Sequence, residues 1–238
     1  MYKRIQAIII ISVLSLTLHG CVSSLTGERG NGNVVTEERN IGTYTELKLS
    51  GGFDVELIHS EQKTLKITTD ENLLDNVETY VRSGILHVKT RNVGNATEMK
   101  LSIHYKDIES ISSSGAVEIR TREALEADEL RFKSSGASEA YLQLDVGTVY
   151  FDFSGASETE LSGEADKLVF EGSGACELNA YALEAEIAEI EISGAGEARV
   201  NVTKELNASV SGAGNVFYRG NPDRIRENVS GAGSIQPD

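Results

Sequence analysis

One tripeptide, Ser-Gly-Ala, recurs through the second half of the chain and constrains its fold more than any other feature. It occurs seven times in 238 residues, and successive glycines are separated by 21, 19, 19, 20, 18 and 19 residues. A repeat of nearly constant length indicates that one small structural unit is used again and again. The glycines of the seven copies are Gly115, Gly136, Gly155, Gly174, Gly194, Gly212 and Gly231.

The residues around each glycine alternate between apolar or small side chains and polar ones. Around Gly155, for example, Phe151 and Phe153 precede the glycine and Ser157 and Thr159 follow it, each at an even offset. A period of two is typical of strands buried on one face, and serine and glycine are poor residues for a helix interior. The repeat therefore predicts an all-β fold, specifically a right-handed parallel β-helix (β-solenoid) with rungs of about 19 residues.

The stretch 34–110 alternates in the same way, but with a less regular period. Within it, Ser83 and Gly84 predict a tight turn between two strands, and residues 72–75 predict one turn of helix. We predict a single β-solenoid domain over 34–236, made of an irregular N-terminal part (34–110) and regular Ser-Gly-Ala repeats (111–235).

The first twenty residues have the features of a secretory leader. Lys3 and Arg4 precede an apolar stretch, residues 5–18, that is shorter than an ordinary transmembrane helix. The segment Leu-His-Gly-Cys that ends at Cys21 resembles a bacterial lipobox, and this resemblance implies that Cys21 is lipidated. We therefore predict a signal peptide over 1–20, a flexible tether over 21–33 and a membrane partner reached through the lipid anchor.

The residues after Cys21 bear on where the anchored protein is displayed. In Bacteroidetes-type lipoproteins an acidic cluster directly after the lipidated cysteine directs display on the cell surface. The sequence Val-Ser-Ser over 22–24 lacks such a cluster. We therefore predict an exported protein that is anchored to the outer membrane and faces the periplasm, with surface display as the alternative.

The charge of the chain excludes some partners and favours others. From Cys21 onward it has 20 basic and 37 acidic residues, a net charge of −17. Such a field repels nucleic acid and anionic lipid headgroups and favours cations or a basic partner. We predict no nucleic-acid partner.

A glutamate stands three residues after the glycine in five of the seven copies. If the copies stack in register, these carboxylates form one outward strip that binds cations or a basic partner weakly. The alternative is a solvated strip that keeps the sheet soluble. A straight strip does not surround an ion as a calcium loop does, so no metal site is predicted. The strip consists of Glu118, Glu139, Glu158, Glu177 and Glu197.

No residue pattern points to catalysis or to a cofactor. The motif serines lack a Gly-x-Ser-x-Gly setting, and the histidines lack a second ligand at metal spacing. The rival interpretation is a β-helix enzyme that cleaves polysaccharides, a lyase or hydrolase. Such enzymes need a cleft built by long insertions, whereas the repeat length here stays within 18 to 21 residues. We predict a non-enzymatic binding or structural protein of the cell envelope, with no catalytic residue and no cofactor.

The sequence also resembles a known family. The Phe-Asp-Val sequence at 53–55 after a Ser-Gly-Gly turn, the hairpin at 83–86 and the run of Ser-Gly-Ala copies resemble the bacterial domain called the putative auto-transporter adhesin head, or GIN domain. The resemblance covers about 40–235. It implies a β-helix-like body common in Bacteroidetes lipoproteins and an adhesin-like role toward an unknown protein or glycan ligand. It carries over no ligand-binding or catalytic residue, and it leaves the oligomeric state open.

Overall fold

The computed structural model describes residues 27–238, which are built almost entirely of strands. The predicted leader (1–20) and the predicted lipidation site Cys21 lie outside the described residues. The strands are β1 (Val34–Asn40), β2 (Glu46–His59), β3 (Thr64–Asp70), β4 (Val77–Arg82), β5 (Ile85–Thr90), β6 (Met99–Tyr105), β7 (Ser110–Thr121), β8 (Leu125–Gly194), β9 (Glu197–Gly212), β10 (Asn215–Gly220), β11 (Arg224–Gly231) and β12 (Ser234–Pro237), and a 3₁₀ helix (Glu71–Asn76) lies between β3 and β4.

These strands form one mixed sheet. Its order is β1-β3-β6-β2-β7-β8-β9-β10-β12, with β11 beside β9 and the β4–β5 hairpin beside β2. The Ser-Gly-Ala copies are stacked in register by parallel pairing, so that each glycine lies beside the glycine of the neighbouring copy. The paired glycines are Gly51 with Gly115, Gly115 with Gly136, Gly194 with Gly212, and Gly212 with Gly231.

The same stacking continues inside β8, and Gly155 shows why the position requires glycine. Its φ is +114°, a conformation that L side chains rarely adopt. A Cβ atom added there would also lie 2.4 Å from the carbonyl oxygen of Gly136, which is part of the backbone and cannot move aside. Each copy therefore approaches the previous one as closely as only glycine permits.

The core lies between the inward faces of the stacked strands. At the centre is a group of phenylalanines, each no more than 1% exposed, that come from three successive copies. The ring centroids of Phe132 and Phe153 are 5.1 Å apart in an edge-to-face arrangement, and those of Phe151 and Phe170 are 6.4 Å apart. The even offsets from the glycine are buried in most copies, as the alternation of the sequence predicts; the last copy is the exception, because Val229, two residues before Gly231, is 43% exposed.

The all-β class is confirmed, but the predicted right-handed parallel β-helix of 19-residue rungs is not shown, because the sheet is mixed rather than a uniform solenoid. Antiparallel pairs join β1 to β3, β3 to β6 and β4 to β5. For the β4–β5 pair, the cause of the antiparallel arrangement is the turn between the two strands. Ser83 and Gly84 both have positive φ, and a two-residue turn of this kind sends the chain back antiparallel to itself.

The segment 27–33, which the sequence assigns to the end of the tether, contacts the sheet. Glu28 pairs with Val93, and the amide of Gly32 donates a 2.7 Å hydrogen bond to Oδ1 of Asp70. The amide and hydroxyl of Thr97 donate to the same carboxylate. We call this arrangement the Asp70 clasp. It fixes the point at which the chain enters the sheet.

Candidate functional site

A concave surface follows the glycine stack. In five of the seven copies, those of Gly115, Gly136, Gly155, Gly174 and Gly212, the serine, glycine and alanine are all exposed in succession, between buried residues two positions before and two positions after the glycine. Three successive outward residues bend the strand, and stacking the bends produces a groove of about 810 Å³. Alanines line this groove in six of the copies: Ala116, Ala137, Ala156, Ala175, Ala195 and Ala213.

The five glutamates predicted as a strip all line this groove, which we call the acidic groove. Pairing places Glu118 beside Glu139, and Glu177 beside Glu197. Neighbouring strands are about 4.8 Å apart, so the carboxylates follow one another at this spacing along one wall. Asp54 of β2 continues the strip, because it pairs with Glu118. The structure therefore brings the predicted strip together; whether the strip binds anything stays a prediction.

Residues two positions beyond the glutamates partly neutralise the strip. Arg120 Nε lies 2.6 Å from Glu118 Oε1, and Arg199 forms ion pairs with both Glu177 and Glu197. The two arginines were not among the predicted site residues. Their signal in the sequence is their offset, since a residue two positions after an outward glutamate lies on the same face of the strand.

Glu139, the glutamate beside Glu118 in the strip, accepts a hydrogen bond from an aromatic residue. The Tyr141 hydroxyl lies 3.2 Å from Oε2 of Glu139, and the guanidinium carbon of Arg120 lies 3.9 Å from the centre of the Tyr141 ring. Burial, and then the hydrogen bond to Glu139 and its charge, raise the pKa of the Tyr141 hydroxyl, so this group stays protonated and keeps donating.

Glu158, at the middle of the groove, differs from the other four glutamates. Within residues 27–238 it has neither an ion pair, as Glu118, Glu177 and Glu197 have, nor a side-chain hydrogen bond such as the one that Glu139 accepts. The outward residue two positions later is another acid, Glu160. The wall is therefore most negative at its centre and is neutralised by arginine towards both ends. A positively charged group on a ligand meets the least competition at Glu158.

The strip does not have the geometry of a metal centre. Across residues 27–238, no group of three or more His, Cys, Asp or Glu side chains converges closely enough to hold a metal ion. Cys176 lies beneath the groove, is buried, and directs its sulfur towards the carbonyl oxygen of Ser173 at 3.6 Å. It occupies a small inward position of the core.

Most of the length of this chain matches one known protein family. The family described as "putative auto-transporter adhesin, head GIN domain" matches residues 43–222. The chain belongs to this family. The match includes β2 to β9 and all five glutamates of the strip.

Solved structures with the same fold come from Bacteroides and Parabacteroides. A putative adhesin from Bacteroides fragilis superposes with a TM-score of 0.82 at 21% identity, covering 89% of this chain and 100% of that one. A putative adhesin from Parabacteroides merdae gives 0.73 at 23% identity, covering 90% and 99%. A protein from Parabacteroides distasonis called a putative lipid binding protein gives 0.73 at 24% identity, covering 89% and 99%. At these identities the similarity concerns the fold.

No curated protein matches the chain at a significant level. In the part of the chain that the structure describes, no helix is both long and apolar enough to cross a membrane.

Proposed function

We propose that this GIN-domain protein is a non-enzymatic, adhesin-like protein of the cell envelope, and that its acidic groove binds an extended, positively charged ligand. The observation that carries the proposal is the groove itself, a continuous groove of about 810 Å³ with a glutamate at five successive steps of one wall. The names of the related structures, putative adhesins, agree with a binding role.

The arrangement of the carboxylates favours binding over catalysis. Glu118, Glu177 and Glu197 are held by arginines, and Glu139 accepts from a tyrosine. Such pairs orient the wall and reduce the repulsion between neighbouring carboxylates. The repeated, nearly equivalent positions suit a long ligand that makes the same contact many times, whereas a catalytic centre needs one distinct pair of groups.

We also propose that the protein is held at the outer membrane by a lipid on Cys21, facing the periplasm. The support lies in the sequence: two basic residues, an apolar stretch and the lipobox-like tetrapeptide that ends at Cys21. Membership of a family named after adhesins is in keeping with an envelope location.

The groove is tested with an extended basic peptide, nona-lysine, titrated into the full chain by calorimetry. The triple variant Glu139→Gln, Glu158→Gln, Glu177→Gln removes three charges from the wall. Each surface charge contributes up to about 1 kcal/mol, so binding should weaken by about tenfold or more.

A matched triple variant removes three exposed acids that do not line the groove, Glu126→Gln, Glu164→Gln and Glu184→Gln. The net charge changes equally in both variants. Equal weakening in both would show that the peptide responds only to net charge, and the groove would then lose its assigned role.

A further inference from the structure

A second groove, of about 430 Å³, lies on the outer face of β2, β7 and β8. Its residues precede the glycine of each copy, whereas the residues of the acidic groove follow it. We call it the lysine–serine groove, because its outward residues are hydroxyls and ammonium groups with one carboxylate: Lys48, Ser112, Ser114, Lys133, Ser135, Ser154 and Asp152.

One row of side chains crosses this groove and continues onto the neighbouring hairpin. The strand register places Tyr80 opposite His87, His87 opposite Lys48, Lys48 opposite Ser112, and Ser112 opposite Lys133. With strands about 4.8 Å apart, the row extends over about 19 Å. It presents an aromatic ring, an imidazole, an ammonium, a hydroxyl and a second ammonium in that order.

The aromatic end of the row is a stacked and accessible pair of rings. The rings of Tyr80 and His87 are stacked, with centroids 4.6 Å apart and an angle of 13° between the planes, and Tyr80 is 41% exposed. Burial, and then the positive charges of Lys48, Lys89 and Arg82, hold the pKa of His87 below its usual value, so the imidazole is neutral at pH 7. A neutral, stacked pair offers a flat surface beside the cations.

The two lysines of the row have different surroundings. Within residues 27–238, Lys48 forms no ion pair. The ammonium of Lys133 lies 2.7 Å from Oδ2 of Asp152 and is 67% exposed. A negatively charged ligand therefore gains a free ammonium at Lys48, and at Lys133 it competes with Asp152.

We propose that the lysine–serine groove, together with the stacked Tyr80–His87 pair, binds an acidic polysaccharide. Charge complementarity carries this choice: carboxylate or sulfate groups pair with ammonium groups through charge-assisted hydrogen bonds. The serine hydroxyls donate to and accept from sugar hydroxyls, and the ring of Tyr80 packs against a sugar ring. The net charge of −17 from Cys21 onward opposes such a ligand, but salt limits this opposition to charges within about 8 Å of it, the Debye length at physiological ionic strength.

The test uses the full chain with dextran sulfate as the acidic polymer and uncharged dextran of the same length as its control. Binding is measured by calorimetry at two salt concentrations. Lys48→Gln should weaken dextran sulfate binding by about fivefold, the effect of one lost contact between a surface charge and the ligand. Asp152→Asn should strengthen it by about threefold, because the competitor for Lys133 is removed. Lys66→Gln, on β3, is the matched control and should change binding by less than about twofold.

Opposite signs at Lys48 and Asp152 cannot arise from a general loss of folding, and melting curves of each variant confirm that the fold is retained. Equal affinity for dextran and dextran sulfate would overturn the proposal, as would a Lys48→Gln variant that binds normally. Binding to phosphatidylglycerol vesicles that is lost in Lys48→Gln, with no binding of dextran sulfate, would assign the groove to lipid and also overturn it.

Discussion

At the scale of single residues, two glycines of this chain are required for different reasons, one for its backbone conformation alone and the other also for close contact with a neighbouring strand. Gly84 and Gly155 both have positive φ, +79° and +114°. A Cβ atom on Gly84 would enter open space, whereas one on Gly155 would lie 2.4 Å from a backbone oxygen. The turn glycine thus serves only the conformation of its turn, and the repeat glycine also serves the close contact between copies.

Alanine at these two positions should therefore have unequal effects on the free energy of unfolding. We expect Gly84→Ala to cost about 1 kcal/mol, the strain of a left-handed alanine. Gly155→Ala should cost about 3 kcal/mol or more, because neighbouring copies must move apart as well. Urea unfolding followed by circular dichroism measures both. Equal losses would show that the stacked backbones are not in tight contact.

Buried hydroxyls beneath the grooves form a second matched pair. Ser113 donates a 2.8 Å hydrogen bond to Ser134 inside the core, whereas the hydroxyl of Ser157 is buried without a partner among the described residues. We expect Ser113→Ala to destabilise the fold by about 1–2 kcal/mol, since Ser134 then loses its partner. Ser157→Ala should be neutral or stabilising by about 1 kcal/mol. Urea unfolding measures both variants. A clear loss of stability in Ser157→Ala would contradict the description of the Ser157 hydroxyl as unpartnered.

At the scale of elements, the parallel stack could be predicted from the sequence and the N-terminal third could not. The stack follows from the even spacing of Ser-Gly-Ala, which specifies the register and the inward positions such as Phe151. The turn at 83–84 and the short helix near 72–75 also have local signals, and both are present. The pairing of β1 with β3, and of β3 with β6, depends on contacts between distant residues that leave no period in the sequence.

The candidate site, too, could be predicted from the sequence only in part. The five glutamates could be predicted because each occupies one offset in the repeat. Arg120 and Arg199 occur in only two copies, so no periodic signal distinguishes them from other surface cations. The stacked Tyr80–His87 pair adjoins the lysine–serine groove because β5 lies beside β2, and the irregular N-terminal part of the sequence does not reveal this pairing.

The Asp70 clasp gives the N-terminal elements a dependence on acid. The hydrogen bond from the Thr97 amide, followed by those from Gly32 and the Thr97 hydroxyl, holds the pKa of the Asp70 carboxyl below its usual value, although burial opposes the shift. A depressed pKa in the folded state means that the clasp contributes its full stability above the unfolded pKa of about 3.9. It loses that contribution as the pH falls through the folded pKa.

We therefore expect the melting temperature of the wild type to fall below about pH 4 more steeply than that of Asp70→Asn. At pH 7 the variant should already be less stable, because an amide does not replace the charged acceptor of three hydrogen bonds. Thermal melts between pH 3 and pH 7 measure this, and Asp145→Asn, at an exposed position, is the control. Parallel pH profiles for wild type and Asp70→Asn would contradict a charged clasp.

At the scale of the whole molecule, the two grooves divide the surface by sign. The residues after each glycine build an acidic wall, and the residues before it build a surface of hydroxyls and lysines near β2. A single stack can thus present two chemically different faces. The two faces lie on either side of the bend at the glycine. A change in the strand register of one copy would therefore move its residues on both faces together.

The proposed anchor belongs to this scale, because it decides where both faces are presented. If Cys21 is acylated, the wild-type protein should incorporate labelled palmitate and sediment with membranes. Cys21→Ser should lose the label and appear in the soluble fraction. Cys176→Ser is the control, since that buried thiol should leave labelling unchanged. Absence of label in the wild type would refute the anchor without affecting either groove.

Because the glycines stack in register, the length of the groove depends on the number of Ser-Gly-Ala copies. Each Ser-Gly-Ala copy adds one strand to the stack, so each gain or loss of about 19 residues changes the groove by about 4.8 Å. The cross-section stays constant while the length changes in equal increments. If the acidic groove binds the extended ligand proposed above, duplication or deletion of a single copy would fit it to a ligand of different length while keeping the same chemistry at each step.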